Sequence, residues 1–335
     1  MTEESFGKDL IQWYRKVGRQ LPWRATQDPY AIWLSEIILQ QTRVDQGLPY
    51  YMRFLERFEN IRDLAEAEDD EVFRLWQGLG YYSRARNLLT TARIIAFEKN
   101  AVFPSTADAL QQLPGIGPYT AAAIASFAFG QRIPAIDGNV LRVLSRLFAL
   151  DFSIDEVAHR KHFVALAEEL MESVDPAEFN QAMMELGATV CKPKPACSNC
   201  PVQAYCIGFG EGDPEDFPVR TKKTKVLTEE MHYVILTNEQ EQIAIRQRKE
   251  QGIWGQLYEF PVWDHAQLEE LWGMWKTTHL LTHRKLEIMF AYGQGIIPAK
   301  KHPYQWVNRE DLRRYAFPVP LLKALERWGL MNSTP

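Results

Sequence analysis

Leu113-Pro114-Gly115-Ile116-Gly117-Pro118-Tyr119-Thr120, followed by the apolar run Ala121–Phe129, decides how the N-terminal part of this chain is read. Two glycines two apart, after a short helix and opening a second, make a tight turn that leaves backbone N–H groups and a helix N-terminus facing outward together. Such a turn binds a phosphate without any positive side chain and lets an acidic protein hold DNA, which makes Gly115 and Gly117 candidate phosphate-binding positions. A turn that only packs two helices together has the same sequence, so the motif alone leaves that alternative open.

Around the turn, apolar residues recur at helical spacing, three and four apart in Val72-Leu75-Trp76 and Phe163-Leu166-Leu170 and seven apart between the ends of Ile32-Ile37-Leu39 and Leu88-Ile94-Ile95. Helix starts are signalled at Asp28-Pro29, Ser105, Asp137 and Asp155. No strand-like alternation interrupts this stretch, so residues 1–218 are expected to form an all-α domain. A polar, basic linker is expected over 219–229. Beyond it, His232–Thr237 and Gln242–Arg246 alternate as strands around the turn Asn238–Glu241, and Leu286–Tyr292 is a third strand candidate. Helices are expected at Ala266–Trp272 and Val319–Trp328, which makes residues 230–330 an α+β domain. There are no internal repeats.

The chain has 335 residues, of which 46% are hydrophobic and 24% charged, a composition for a soluble protein of two or three domains. No run reaches the roughly 18 apolar residues a membrane span needs, and the acidic, amphipathic start is unlike a secretory signal. A cytoplasmic location is expected. The net charge of −5, taken alone, argues against nucleic acid. Residues 1–218, however, carry 21 basic and 30 acidic side chains, and residues 219–335 carry 17 and 13. Nine of the N-terminal acids lie in two short runs, Glu66–Glu71 and Glu211–Asp216, so a local basic face remains compatible with the total.

Two acids stand in apolar settings. Glu36 lies among core-formers in Ile32–Thr42, and Asp137 sits in Ile133–Val140 just before a helix. Burial raises a carboxyl pKa, while hydrogen bonds at a helix N-terminus lower it. One acid kept protonated and one kept ionised is how two carboxylates divide a glycosidic cleavage. An ordinary N-cap at Asp137 and a satisfied helix acid at Glu36 are the plainer alternatives. All four cysteines fall in Cys191-x5-Cys197-x2-Cys200-x5-Cys206. Four clustered thiolates ligate zinc or a 4Fe–4S cluster. Only Cys197 and Cys200 form a close pair, which suits the four corners of a cubane better than a zinc site built from two pairs. Trp13, Trp23, Trp76, Tyr81, Tyr82, Gln40 and Gln41 crowd these motifs, and the glycine-flanked pair in Gly78–Tyr82 is placed to protrude and wedge between stacked bases.

Together these motifs resemble the helix-hairpin-helix DNA glycosylase superfamily and, within it, the adenine-specific, MutY-type branch. The resemblance runs through Pro22–Arg24, Ser35–Thr42, Trp76–Tyr82, Leu113–Thr120, Asp137–Arg142, Asn180–Gly187, the cysteines, Gly252–Pro261 and His279–His283. It implies two helical lobes around an active-site cleft, one lobe carrying a 4Fe–4S cluster on Cys191, Cys197, Cys200 and Cys206. It implies that Glu36 protonates adenine and helps bring in water, that Asp137 stabilises the oxocarbenium-like sugar, and that Asn139 and Tyr119 support that acid and the sugar. Leu21, Trp23, Arg24, Gln181 and Met184 match positions that contact the extruded adenine. Gln41 and Tyr81 match wedges beside the lesion, and Thr42 matches a contact to 8-oxoguanine.

The C-terminal part resembles a Nudix-like module that recognises 8-oxoguanine. The stretch Val262–Glu270 lacks the acidic metal-binding helix of a working Nudix hydrolase, so binding without hydrolysis is implied. Leu281, Thr282 and His283 stand where the family has a Phe-Ser-His probe of the lesion base. The first cysteine spacing is five residues instead of the usual six, which puts Lys192–Ala196 on a tighter path. The expected partner is duplex DNA with 8-oxoguanine·A or G·A mispairs, bound by a monomer. Relatives that also cut the backbone carry a lysine nucleophile at the position of Tyr119, and a tyrosine forms no Schiff base. A monofunctional enzyme is therefore expected. The rival readings are a bifunctional pyrimidine-damage glycosylase, a non-catalytic DNA-binding iron–sulfur protein, and a Nudix pyrophosphohydrolase fused to a helical domain.

Overall fold

The structure, a computed structural model, describes residues 3–221, 226–249, 252–298 and 303–331. The expected linker therefore falls partly, at residues 222–225, outside the described residues. Up to residue 221 the chain is helical: α1 (Glu3–Val17), α2 (Pro29–Leu39), α3 (Val44–Arg57), α4 (Ile61–Glu66), α5 (Asp69–Trp76), α6 (Ser83–Arg93), α7 (Ala107–Leu110), α8 (Pro118–Phe129), α9 (Gly138–Leu147), α10 (Arg160–Met171), α11 (Pro176–Thr189) and α12 (Ile207–Glu211). The caps explain several boundaries. Asp28 accepts hydrogen bonds from the Tyr30 and Ala31 amides with Pro29 in the first turn of α2. Thr106, one residue past the expected Ser105, caps α7. Asp155 starts no α-helix: its carboxylate accepts from Thr221 N at 3.0 Å, and a 3-10 turn at Val157–His159 precedes α10.

By its internal contacts the chain divides into two compact units, one of Met1–Val44, Leu55–Ala65 and Thr90–Lys222, the other of Asp45–Phe54, Glu66–Leu89 and Lys223–Pro335. In the first, α2 is buried from Tyr30 to Ile38 and packs on α8, itself buried from Thr120 to Ser126. A helix apolar on all sides belongs to the core, and any acid on it is held away from water. A second cluster joins α1, α9, α10 and α11 through Phe6, Leu10, Leu144, Phe163, Met171 and Phe179.

The second unit contains a mixed sheet of β1 (Leu227–Thr237), β2 (Ile243–Gln247), β3 (Tyr258–Glu259), β4 (Gln267–Leu281), β5 (Arg284–Ile296) and β6 (Gln305–Val307). The strand order is β3-β2-β1-β5-β4, with β6 also on β2. β1 runs parallel to β5, and β4 and β5 form a long antiparallel hairpin. α13 (Val319–Arg327) buries Leu321, Ala324 and Leu325 against Ile235, Ile288 and Phe290.

The helix expected at Ala266–Trp272 is strand β4. Its apolar residues fall three and four apart, at Leu268, Leu271 and Trp272, because the register shifts between Leu268 and Glu270 and again between Leu271 and Gly273. Each bulge adds a residue and breaks the alternation that marks a strand. Opposite them, side chains at Gly293 and Gly295 would lie 2.0 and 2.1 Å from the carbonyls of Glu270 and Gln267, so only glycine admits this approach.

Candidate active site

Three elements of the first unit bring the candidate residues to one cleft of about 820 Å³, lined among others by Glu36, Gln40, Gln41, Gly117, Tyr119 and Asp137. α2 supplies Glu36, the first turn of α8 supplies Tyr119, and Asp137 caps α9. Gly115, at φ 77°, makes the turn into α8, a left-handed conformation costly for any residue with a side chain. The Gln40 amide ties α2 to this turn by donating to Thr120 Oγ1 at 3.2 Å and the Gly115 carbonyl at 3.4 Å.

Glu36 is 7% exposed. Burial pushes its carboxyl up to about 7, the charge of Asp137 pushes the same way, and a hydrogen bond with Tyr119 and the Arg24 charge pull it back. Burial first, and then both carboxylates, push the Tyr119 phenol far above its ordinary value, so it stays a neutral hydroxyl. That hydroxyl also lies 3.7 Å from Met184 Sδ.

Asp137 accepts from Val140 N at 2.7 Å, Asn139 N at 2.8 Å and Asn139 Nδ2 at 2.7 Å. These are the helix-start bonds the sequence suggested. They do not hold the acid low: burial outweighs them and Asp137 is also raised, with the bonds and Arg142 limiting the rise. Asn139 is fixed in turn by Arg142, which donates to its Oδ1 at 3.0 Å and to the carbonyls of Gly187 and Cys191 at 2.8 Å. Only the fold makes this support visible.

Other candidates of this unit stand off the cleft lining. Leu21 and Trp23 are each 8% exposed around a 3-10 turn at Pro22–Arg24. Arg24 donates to Glu185 at 2.8 Å, as does Arg19. Gln181 accepts from the Tyr14 hydroxyl at 2.6 Å. Thr42 bonds the Gln40 carbonyl at 3.4 Å. Tyr14 and Arg19 carry no signal of their own in the sequence, and Glu185 sits unmarked within Asn180–Gly187, because their bonds span more than 160 residues.

In the second unit the Gly78–Tyr82 turn divides its tyrosines. Tyr82 is buried and Tyr81 is 44% exposed at φ 47°. Trp76 Nε1 donates to the Gly80 carbonyl at 3.0 Å and Arg84 to the Leu79 carbonyl at 3.1 Å, fixing the turn from beneath. Leu281 ends β4, and Thr282 and His283 form the exposed two-residue turn into β5. The Tyr81 hydroxyl hydrogen-bonds Thr282 Oγ1, joining two candidates 201 residues apart.

The four cysteines, all free and half-buried, line one small pocket with Arg146. Burial first, then neighbouring thiols, push Cys200 up to about 11 and raise Cys197 and Cys206. Thiols that crowd one another in this way need a compensating positive charge to ionise. A sulfur-only donor set spaced around a pocket fits a cluster with one iron per thiolate. Arg146, 2% exposed, clamps the shortened loop by donating to the carbonyls of Lys192 at 2.6 Å and Pro193 at 2.8 Å, and to Cys191 Sγ at 3.4 Å.

Residues 34–184 match the HhH-GPD superfamily of base excision DNA repair proteins, and residues 232–327 match the NUDIX domain. An adenine DNA glycosylase of Buchnera aphidicola subsp. Acyrthosiphon pisum is 31% identical over 98% of this chain and 99% of its own length. The chain belongs to the adenine DNA glycosylase family. These enzymes are hydrolases acting on N-glycosyl bonds. The Mus musculus adenine DNA glycosylase is 47% identical over 61% of this chain, a match that spans 42% of the mouse protein. Among solved structures, a thermostable thymine-DNA glycosylase superposes with a TM-score of 0.58 at 27% identity, over 63% of this chain and 97% of its own. The glycosylase family thus carries a helical domain followed here by a Nudix-like domain with a sheet. Among the described residues no helix is long and apolar enough to cross a membrane.

Proposed function

We propose that this glycosylase releases adenine mispaired with 8-oxoguanine or guanine in duplex DNA, without cutting the backbone. The observation that carries the reading is the pairing in one cleft of Glu36, whose carboxyl is pushed to about 7, with Asp137, braced by Asn139 and two amides. Adenine is a poor leaving group until protonated, and the sugar cation it leaves needs a nearby negative charge. In this mechanism the Glu36 carboxyl gives its proton to the extruded adenine. The N-glycosidic bond breaks with its electron pair going to the base, and the Asp137 carboxylate stabilises the sugar cation. The Glu36 carboxylate then takes a proton from the water that adds to the anomeric carbon. Tyr119, a neutral hydroxyl with no amine, supports a monofunctional outcome.

The outward turn at Gly115 and Gly117 holds a phosphate beside the cleft. Gln41 and Thr42 work beside the opposing lesion, and Leu21, Trp23, Arg24, Gln181 and Met184 form the adenine pocket; in the second unit Tyr81 is a wedge residue. Thr282 and His283, exposed at a hairpin tip, read the lesion strand. Glycosylases of the endonuclease III and MutY type usually carry a 4Fe–4S cluster. Cys191, Cys197, Cys200 and Cys206 would hold it here, where it would supply the positive charge that ionises the thiols and ties the loop together.

Duplexes with adenine opposite 8-oxoguanine, adenine opposite guanine, or thymine glycol, each incubated with the protein and then cleaved with alkali, test the reading. Alkali-dependent strand breaks at the first two are expected. Breaks without alkali, or release of thymine glycol alone, would replace it with the bifunctional alternative.

A further inference from the structure

The N-terminal segment and α11 meet through a polar network that joins Arg24 and Gln181, already given a role above, to Tyr14, Arg19 and Glu185, which have none. Glu185 is 1% exposed and receives Arg24 Nη2 at 2.8 Å and Arg19 Nε and Nη2, each at 2.8 Å. Burial pushes this acid up, and the two guanidinium groups more than offset it, leaving its pKa lowered and the group ionised. Arg24, so anchored, stands over the Tyr14 ring, 5.4 Å from its centroid. One edge of the ring lies against Gly18, where a Cβ would fall 2.7 Å from Tyr14 Cε2 and 2.9 Å from Cδ2. A bare Cα and a fixed cation thus both pack against the ring. Its hydroxyl donates to Gln181 Oε1 at 2.6 Å. Gln181 and Glu185 are one turn apart on α11, so the same helix carries the anchor and the anchored amide.

A carboxamide has one acceptor end and one donor end, and turning it over exchanges them. The phenol proton on Oε1 breaks that symmetry. We infer that Tyr14 is a specificity-setting positioning residue that commits the Gln181 amide to one orientation and so selects a 6-aminopurine over a 6-oxopurine. Adenine offers an N–H at position 6 beside the acceptor N7, a pattern that one amide orientation meets with both ends. Hypoxanthine offers two acceptors there, so an amide oxygen held toward position 6 is repelled by O6, whereas an amide free to turn can bring its NH2 group onto both acceptors. The inference rests on the proposed role of Gln181 in the adenine pocket.

The test measures single-turnover release of adenine and of hypoxanthine, each opposite 8-oxoguanine, by the full-length protein and its Tyr14→Phe variant. Phenylalanine keeps the ring packed against Gly18 and Arg24 and removes only the hydroxyl. The preference for adenine should fall about three- to tenfold, as expected for one lost hydrogen bond, and the pH midpoint of release, set at Glu36, should not move. In a Gln181→Leu background the Tyr14→Phe change should have no further effect on the preference. An unchanged preference in Tyr14→Phe, an equal loss on both bases, or a full effect without Gln181 would overturn the inference. Wild-type protein that releases neither base from any duplex would instead overturn the functional reading beneath it.

Discussion

The pH dependence of adenine release follows from the position of Glu36. A carboxyl held at about 7 keeps roughly a tenth of its protons at pH 8, whereas one left at 4.5 would keep roughly 0.03%, so the reactive fraction is about 300-fold larger. kcat/KM for adenine release, which reports the free enzyme, should fall about tenfold per pH unit above 7, and fall again at acid pH as Asp137, whose carboxyl burial also raises, becomes protonated. The same burial carries a cost to the fold. Glu36 binds its proton more tightly folded than unfolded, so stability from this group is lost as pH rises from about 4.5 through about 7, by on the order of 3 kcal/mol. Glu36→Gln removes both effects. It should abolish release while leaving lesion-duplex binding largely intact, and it should be more stable than wild type at pH 8 but not at pH 4.5. Denaturant unfolding at both pH values, beside single-turnover kinetics, reads the two arms. Near-normal release by the variant would remove Glu36 from the mechanism, and an equal stability difference at both pH values would refute burial as the cause of its raised pKa.

Purified protein is expected to be yellow-brown, with broad absorption near ~400 nm; a colourless, active preparation with stoichiometric zinc would show the cysteines hold the wrong metal for this reading. Borohydride should trap no DNA–protein adduct with wild type, and Tyr119→Lys should gain weak strand cleavage because an amine then faces the sugar; a trapped wild-type adduct would refute the monofunctional assignment. His283→Ala leaves the catalytic acids untouched and should lower the preference for 8-oxoguanine·A over G·A roughly tenfold or more, the worth of a base contact of about 1–3 kcal/mol; equal losses on both substrates would show that His283 does not read the lesion.

Features set by neighbours in the chain were legible in the sequence. The glycine turn at Gly115–Gly117, the caps at Asp28 and Asp137, the helical periodicity before residue 190 and the close spacing of the cysteines are local, because turns, caps and helical faces are decided within a few residues. The apolar surroundings of Glu36 were legible too, since α2 is apolar on every side. Tertiary structure decided what depends on residues far apart. It placed Asp137 deeply enough that burial outweighs its helix-start hydrogen bonds, supplied Arg142 behind Asn139 and Arg146 behind the cysteine loop, and joined Tyr14 to Gln181 and Tyr81 to Thr282. It also turned the helix-like spacing of Leu268, Leu271 and Trp272 into a bulged strand, because Gly293 and Gly295 on the facing strand leave room for the bulges. Burial and long-range hydrogen bonding are properties of the packed chain, and a local reading of side chains contains neither.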